Sequence, residues 1–486
     1  MKLKLNIHSK IPGVIFILLL CVSFALQAQE KVPITTSSLE AKRIFLQGRN
    51  YIDLYQFPEA AERFEEAIQL DKPFALAHLY LSIAKTEATG YEEKPLKMAV
   101  KYADQVSEGE RHMIYYAKAV TEKNNLAMNQ HIEKLRNLHP GDERVHVWIG
   151  RYYYDNEDYN KALKHFKKAT SINPNYHTAV NLTGYAYLAM NFFDDARMTF
   201  RSYLNMVPDV ANPYDSYAEY LLKKGKFTPA IKYFNTALEY DSKFVSSYKG
   251  LADAYLFRGD FWRARENYRN YYKKAINNDQ KFHALLMQSS IELHEDNIDA
   301  ALKVLDKYIK LAEENNLPYY KINGVAYKGY VLAERGRSLE GMKYYQKASK
   351  MIEDEVEDDN LRSRLLTRAK LWNFYALTTN GNIDEAEVAN TKCMVDLRKN
   401  GNNDQWKMYH RLRGIMEIKK GNYDEAKSHL AESYDNPVTW YYMGLAWENS
   451  GHDKRAKKYY EKVVEHYDNS IELATLRNKA VAALKE

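Results

Sequence analysis

Small, large and polar positions recur along this chain at a fixed spacing. Gly150, Tyr153, Ala162, Phe166, Ala169 and Pro174 are followed 34 residues later by Gly184, Tyr187, Ala196, Phe200, Tyr203 and Pro208. Two further steps give Ala218, Leu221, Ala230, Phe234, Ala237, Ser242 and then Ala252, Tyr255, Ala264, Tyr268, Tyr271, Ile276. Four consecutive units keep register without an insertion. Inside each unit apolar residues fall at i, i+3, i+4 and i+7, which predicts two amphipathic helices of about 12–15 residues. The turns between them are polar and often carry glycine, as at Gly225, Gly259, Gly381, Gly421 and Gly451. Glycine there admits the left-handed backbone that ends a helix, and a following Asp or Asn helps start the next one.

Extended outward, the period predicts units opening near Ala41, Ala75, Gly109, Glu143, His177, Ala211, Val245, Lys281, Ile322, Thr367, Lys407 and Pro437. That is about twelve. The second carries an insertion around Thr89 to Pro95. The third is degenerate, with Met128, Ile132 and Leu135 at core positions, and the eleventh is short. The chain therefore divides into a leader at 29–40, expected to be flexible, divergent units at 41–142, regular units at 143–280 and further units at 281–470. A final amphipathic helix at 471–486 is expected to cover the apolar face of the last unit, as terminal caps do.

This pattern resembles the tetratricopeptide repeat. The family's small first-helix residue falls on Gly48, Gly150, Gly184, Ala218, Ala252, Gly329, Gly414 and Gly444. Its second-helix alanine falls on Ala60, Ala162, Ala196, Ala230, Ala264, Ala300, Ala386, Ala426 and Ala456. Its aromatic one turn later falls on Phe64, Phe166, Phe200, Phe234, Tyr268, Tyr345 and Tyr460, and its closing proline on Pro140, Pro174 and Pro208. The resemblance implies an all-α fold, a right-handed α-solenoid of stacked helix-turn-helix units, in which each unit buries apolar surface mainly against its neighbours.

Composition agrees. There are 20 Gly and 12 Pro in 486 residues, against about 58 from average usage, so a collagenous or turn-rich β architecture is disfavoured. Tyr is the outlier at 41, and fits a fold whose inter-repeat gaps take a ring while the hydroxyl reaches water. Residues 1–28 read as a secretory signal: Lys2, Lys4 and Lys10, an apolar run from Val14 to Leu26, and Ala28 before the cut. The run is short for a bilayer span, so membrane contact is expected only if this segment is retained. Leu20 stands where a lipidated cysteine would need a small residue before it, so Cys21 reads as part of the signal core. The formal charge of +6 falls to +3 without the first 28 residues, too mild for a nucleic-acid footprint. Cys393 is then the one cysteine left, so no intrachain disulfide forms. The expected location is the periplasm or cell envelope, or outside the cell.

Searched for chemistry, the sequence holds no phosphate-binding glycine loop, HExxH, paired CxxC, EF-hand or GxSxG. No cofactor, metal or enzymatic activity is expected. The first-helix positions that line the groove in the family fall here on Arg151 and Tyr154; on Asn181 and Tyr185; on Asn212, Asp215, Glu219 and Lys223; and on Lys249, Asp253 and Phe257. Amides, both charges and aromatics suit an extended peptide or a partner helix. The Lys and Asn clamp by which one subfamily grips a C-terminal carboxylate is absent: those positions hold Val147 and Arg151, Asn181 and Tyr185, Asp215 and Glu219, Lys249 and Asp253. The leading expectation is an exported, non-catalytic scaffold that binds a protein or peptide. The alternatives are a glycan- or nutrient-binding accessory of the cell envelope and a cell-wall hydrolase with an unrecognised site. The sequence sets no oligomeric state.

Overall fold

The computed structural model describes residues 31–485 except Tyr91; the signal segment lies outside the described residues. Among these residues there are 25 α-helices, one short 3-10 turn (Ala103–Gln105) and no strand. They form two compact units, the first ending at Tyr220 and the second beginning at Leu221.

The N-terminal unit contains five helix pairs: α1 (Leu39–Asp53) with α2 (Phe57–Leu70), α3 (Ala75–Ala88) with α4 (Glu93–Lys101), α5 (Glu108–Thr121) with α6 (Asn125–Leu138), α7 (Glu143–Asp155) with α8 (Tyr159–Ile172), and α9 (His177–Ala189) with α10 (Phe193–Met206). The boundary falls in α11 (Ala211–Lys223), the partner in sequence of α12 (Phe227–Tyr240). The C-terminal unit continues with α13 (Val245–Phe257) and α14 (Phe261–Lys274), α15 (Asn278–His294) and α16 (Ile298–Glu314), α17 (Pro318–Glu334) and α18 (Ser338–Glu355), α19 (Asp359–Asn380) and α20 (Ile383–Asn400), α21 (Asn403–Lys420) and α22 (Tyr423–Ala431), α23 (Pro437–Asn449) and α24 (Asp453–Val464), then α25 (Ile471–Ala483).

Pairs with a glycine at the small first-helix position close by that residue meeting a large one on the second helix. A Cβ on Gly150 would lie 2.3 Å from the Phe166 ring, one on Gly184 2.6 Å from Phe200, and one on Gly444 2.5 Å from Tyr460. Phe166, Phe200 and Tyr460 are buried. The alternation seen in the sequence is therefore the steric fit of one helix on its partner. The intra-pair turn takes one left-handed residue, which is Gly at 225, 259, 336, 381, 421 and 451 and Tyr55, Lys123, Glu157, Asn191 or Asp296 in five other pairs.

Helices α15 to α21 run 17–22 residues, longer than the expected 12–15. Their units open earlier than the period predicts because the capping side chains come earlier: Asn277, Asp358 and Asn402 accept N–H groups at the starts of α15, α19 and α21.

Two terminal segments make contacts beyond those expected of them. The leader is pinned. Lys31 pairs with Glu143 at 2.9 Å. The backbone N–H groups of Val32, Thr35 and Ser37 are donated to Asp142 (2.9 Å), Glu110 (2.8 Å) and Asp71 (2.9 Å). Asp71 at the end of α2, Glu110 in α5 and Asp142 at the start of α7 thus satisfy an extended segment that has no sheet to join. Helix α25 packs on α23 and α24, and also reaches α15 and α17, burying Ile471, Leu473, Ala474 and Leu476.

Candidate functional site

The first helices of the pairs form one face in each unit. In the N-terminal unit α1 touches α3 and α3 touches α5; in the C-terminal unit α17, α19, α21 and α23 touch in sequence.

In the N-terminal unit this face curls until distant repeats meet. Asp53, ending α1, takes a two-pronged bond from Arg144 of α7 (Nη1 3.0 Å, Nη2 2.5 Å). Arg144 also lies over the Tyr176 ring at 4.9 Å, and Thr178 donates to the Asp53 carbonyl at 3.2 Å. Tyr55 Oη stands 3.4 Å from Asn181 Nδ2. Asn181 is wholly buried; its amide also donates to Asn212 Oδ1 at 3.1 Å, which accepts the Tyr203 hydroxyl at 2.8 Å. Tyr185 donates to Glu219 Oε2 at 2.6 Å and lies 3.1 Å from Ser216 Oγ. Burial, with the Glu219 charge beside it, pushes the Tyr185 hydroxyl far above its ordinary pKa. Asp215 is buried. Arg151 is exposed and Tyr154 half-buried; burial first, then the neighbouring Tyr159, raises the Tyr154 hydroxyl to about 12.

Three neighbours of Arg151 escape the sequence reading. Glu87 and Asp155 are solvent-accessible yet recessed, and desolvation raises both carboxyls against the opposing pull of Arg151. Tyr116, whose hydroxyl feels Asp155, sits 5.7 Å from the ring of Trp148. A signal for the acids was present: Asp53, Glu87 and Asp155 stand at multiples of 34 residues.

In the C-terminal unit the equivalent face is already occupied. Lys249 Nζ is 3.2 Å from Asp253; Asp253 accepts the Tyr268 hydroxyl, and Asn469 donates to Tyr268 Oη at 3.0 Å. Ser290 donates to Asn469 Oδ1 at 2.7 Å. Burial raises the Asp253 carboxyl despite Lys249. The Phe257 ring meets Tyr467 at 5.4 Å and the Arg477 guanidinium at 5.5 Å. Lys223 remains exposed. The chain's own segment around 467–477 thus covers Asp253 and Phe257, a contact between residues some 200 positions apart that no repeat period encodes.

Among the described residues no group of three or more His, Cys, Asp or Glu is placed to hold a metal ion, and no helix is long and apolar enough to cross a membrane. Burial raises the Cys393 thiol to about 12, which leaves it an unreactive core thiol. A surface cleft of about 1040 Å³ between α18 and α20 has a mixed rim including Lys350, Asp354, Lys370, Glu385 and Asp396.

These features define an all-α array of stacked helix hairpins. Family models described as tetratricopeptide repeat match residues 143–176, 211–244, 249–316 and 439–470. The chain is a tetratricopeptide repeat protein. Similar solved structures include the APC/C hetero-tetramer Cut9–Hcn1, at 15% identity over 96% of this chain and 82% of that one, with a TM-score of 0.41. A tetratricopeptide repeat protein from Parabacteroides merdae is 13% identical over 64% of this chain and 97% of its own, with a TM-score of 0.32. YrrB, described as having an unusual peptide-binding site, is 16% identical over 38% and 94%, with a TM-score of 0.28. No curated protein matches the sequence.

Proposed function

We propose that this protein is an exported, non-catalytic scaffold that binds a protein or peptide partner on the first-helix face of its N-terminal unit. One observation carries the choice of unit. The C-terminal face is covered by the chain's own segment at Asp253 and Phe257, whereas Arg151 and Tyr154 stay accessible beside Glu87, Asp155, Tyr116 and Trp148. Arginine, tyrosine and tryptophan are the side chains that most often anchor protein interfaces. The repeat family supports the interaction role, and the apolar run behind a basic start in residues 1–28 supports export.

Asn181, Asn212 and Asp215 are poor places to test this, since substituting buried polar groups perturbs folding. The test is affinity capture on intact cells with the wild type, an Arg151→Glu/Tyr154→Ala variant and a Lys223→Glu control. The reading expects one partner retained by wild type and control and lost by the double variant, with unchanged melting. Equal capture by all three would refute it.

A further inference from the structure

In three repeats a histidine on the first helix meets one nineteen residues later on the second. His112 and His131, His146 and His165, and His410 and His429 each bring Nδ1 to 3.0 Å from Nδ1. The ring centroids stand 5.2, 5.3 and 5.2 Å apart. Two rings holding one metal through these atoms would converge on it and bring their centroids closer at the same N–N distance. Rings this far apart face each other head-on, the geometry of a direct N–H···N bond. Such a bond needs one ring to carry the Nδ1 proton and the other to offer a lone pair.

Neighbours decide which ring does which. His146 Nε2 lies 2.9 Å from the Pro140 carbonyl oxygen, which only accepts. His146 therefore carries its proton on Nε2, its Nδ1 is bare, and His165 donates. Glu108 lies 3.6 Å from His112 Nε2, and Glu425 lies 3.9 Å from His429 Nε2. These distances are too long for a hydrogen bond, but each negative charge favours a proton on the Nε2 that faces it, which assigns the donor role to His131 and His410.

We propose that the three pairs are acid-sensitive latches between the two helices of their repeats. The donor ring takes a first proton on its outer Nε2 and keeps the bond. A second proton, on the acceptor's Nδ1, sets N–H against N–H and charge against charge, and the latch opens. The groups facing the first pair are Glu108, Arg111, Lys134 and the stacked Tyr115. Those facing the second are Asp142, Lys164, Lys168, Arg136 and the stacked Tyr153. Those facing the third are Arg413, Glu417, Glu425, Glu432 and the rings of Trp406 and Tyr409. Burial lowers the basicity of all six imidazoles, that of His165 to about 4. The unfolded chain, with histidines near their ordinary value of about 6.5, therefore binds protons first. Stability is full above about pH 6.5 and is lost as pH falls toward the folded values. Helix α7 carries both His146 and the pair Arg151 and Tyr154. Acid release of a partner follows from the latch only where the proposed function holds; the latch itself does not depend on it.

The test uses the full mature chain labelled with ¹⁵N-histidine. At pH 7.5 the expected spectrum shows His146 protonated at Nε2 and His165 at Nδ1, with one donor and one acceptor ring in each pair. Rapid tautomer exchange with independent titration of both rings near pH 6.5 overturns the proposal. So does a Zn²⁺ titration that saturates at one ion per pair. A second measurement uses His131→Asn/His165→Asn/His410→Asn, in which each amide still donates to the acceptor ring. Its unfolding at pH 5.5 is expected to take up fewer protons than the wild type, by up to about three, so the unfolding constant responds less steeply, by up to about a thousandfold per pH unit. An unchanged pH response also overturns the proposal.

Discussion

Lys479 Nζ lies 2.8 Å from Glu334 Oε2 and 2.9 Å from the Glu334 carbonyl. The Glu334 side chain is only 2% exposed, and its other oxygen accepts the hydroxyls of Tyr375 and, at 3.0 Å, Tyr442. One carboxylate therefore ties the first helices α17, α19 and α23 to α25. Removing the lysine strands a buried charge. Lys479→Met is expected to cost about 3 kcal/mol, while a Lys479→Met/Glu334→Leu double variant recovers much of it. Denaturant unfolding checks both.

The leader predicts a hydrogen-exchange pattern. The N–H groups of Val32, Thr35 and Ser37 end on carboxylates, and Glu110, itself fully buried, also closes the cap of α5 through Ser107. These three amides are expected to exchange at least tenfold more slowly than a free chain, since a hydrogen bond to a charged group contributes about 1.5–3 kcal/mol. Glu110→Ala should release Thr35 and fray α5 together. Free-chain exchange in the wild type would contradict the pinned segment.

Helix contact predicts a contrast among glycines. Gly150→Ala drives a Cβ into Phe166 and is expected to cost about 1–3 kcal/mol by overpacking, with partial recovery in Gly150→Ala/Phe166→Leu. Gly259 has φ +89° and open space around its would-be Cβ, so Gly259→Ala carries only backbone strain of about 1–2 kcal/mol, which no neighbouring substitution relieves.

The same backbone position offers a gain. Glu157 is exposed and left-handed at φ 60°. Glu157→Gly is expected to raise stability by up to about 1 kcal/mol, read from the melting temperature. A loss would show that the Glu157 side chain contributes a contact outweighing the strain.

What the sequence made legible is local. Helix starts at Ala75, Glu143, His177, Ala211 and Val245 coincide with the 34-residue period, and the start at Pro437 with the unit opening read outward from it, because the small-to-large fit is made within a pair. From Asn278 the register shifts because capping residues, which the apolar period does not weigh, set the starts. The site was less legible. Asn181 and Asp253 sit at groove positions by period, but their burial follows from contacts with Tyr55 and with the Asn469 region. Those contacts depend on how far each unit curls, which is a sum of small rotations over many repeats. The histidine pairs are an intermediate case: the nineteen-residue spacing is written in the sequence, but has meaning only once two helices are laid side by side.

Under the proposed function the N-terminal first-helix face takes a partner, while the C-terminal one is filled by the chain itself. Photo-crosslinking in intact cells tests it most directly, with benzoylphenylalanine in place of Tyr154 or of Phe257. An intermolecular adduct is expected from position 154, and from position 257 an intramolecular one mapping to residues 467–477. Partner adducts from position 257, with none from position 154, would contradict it.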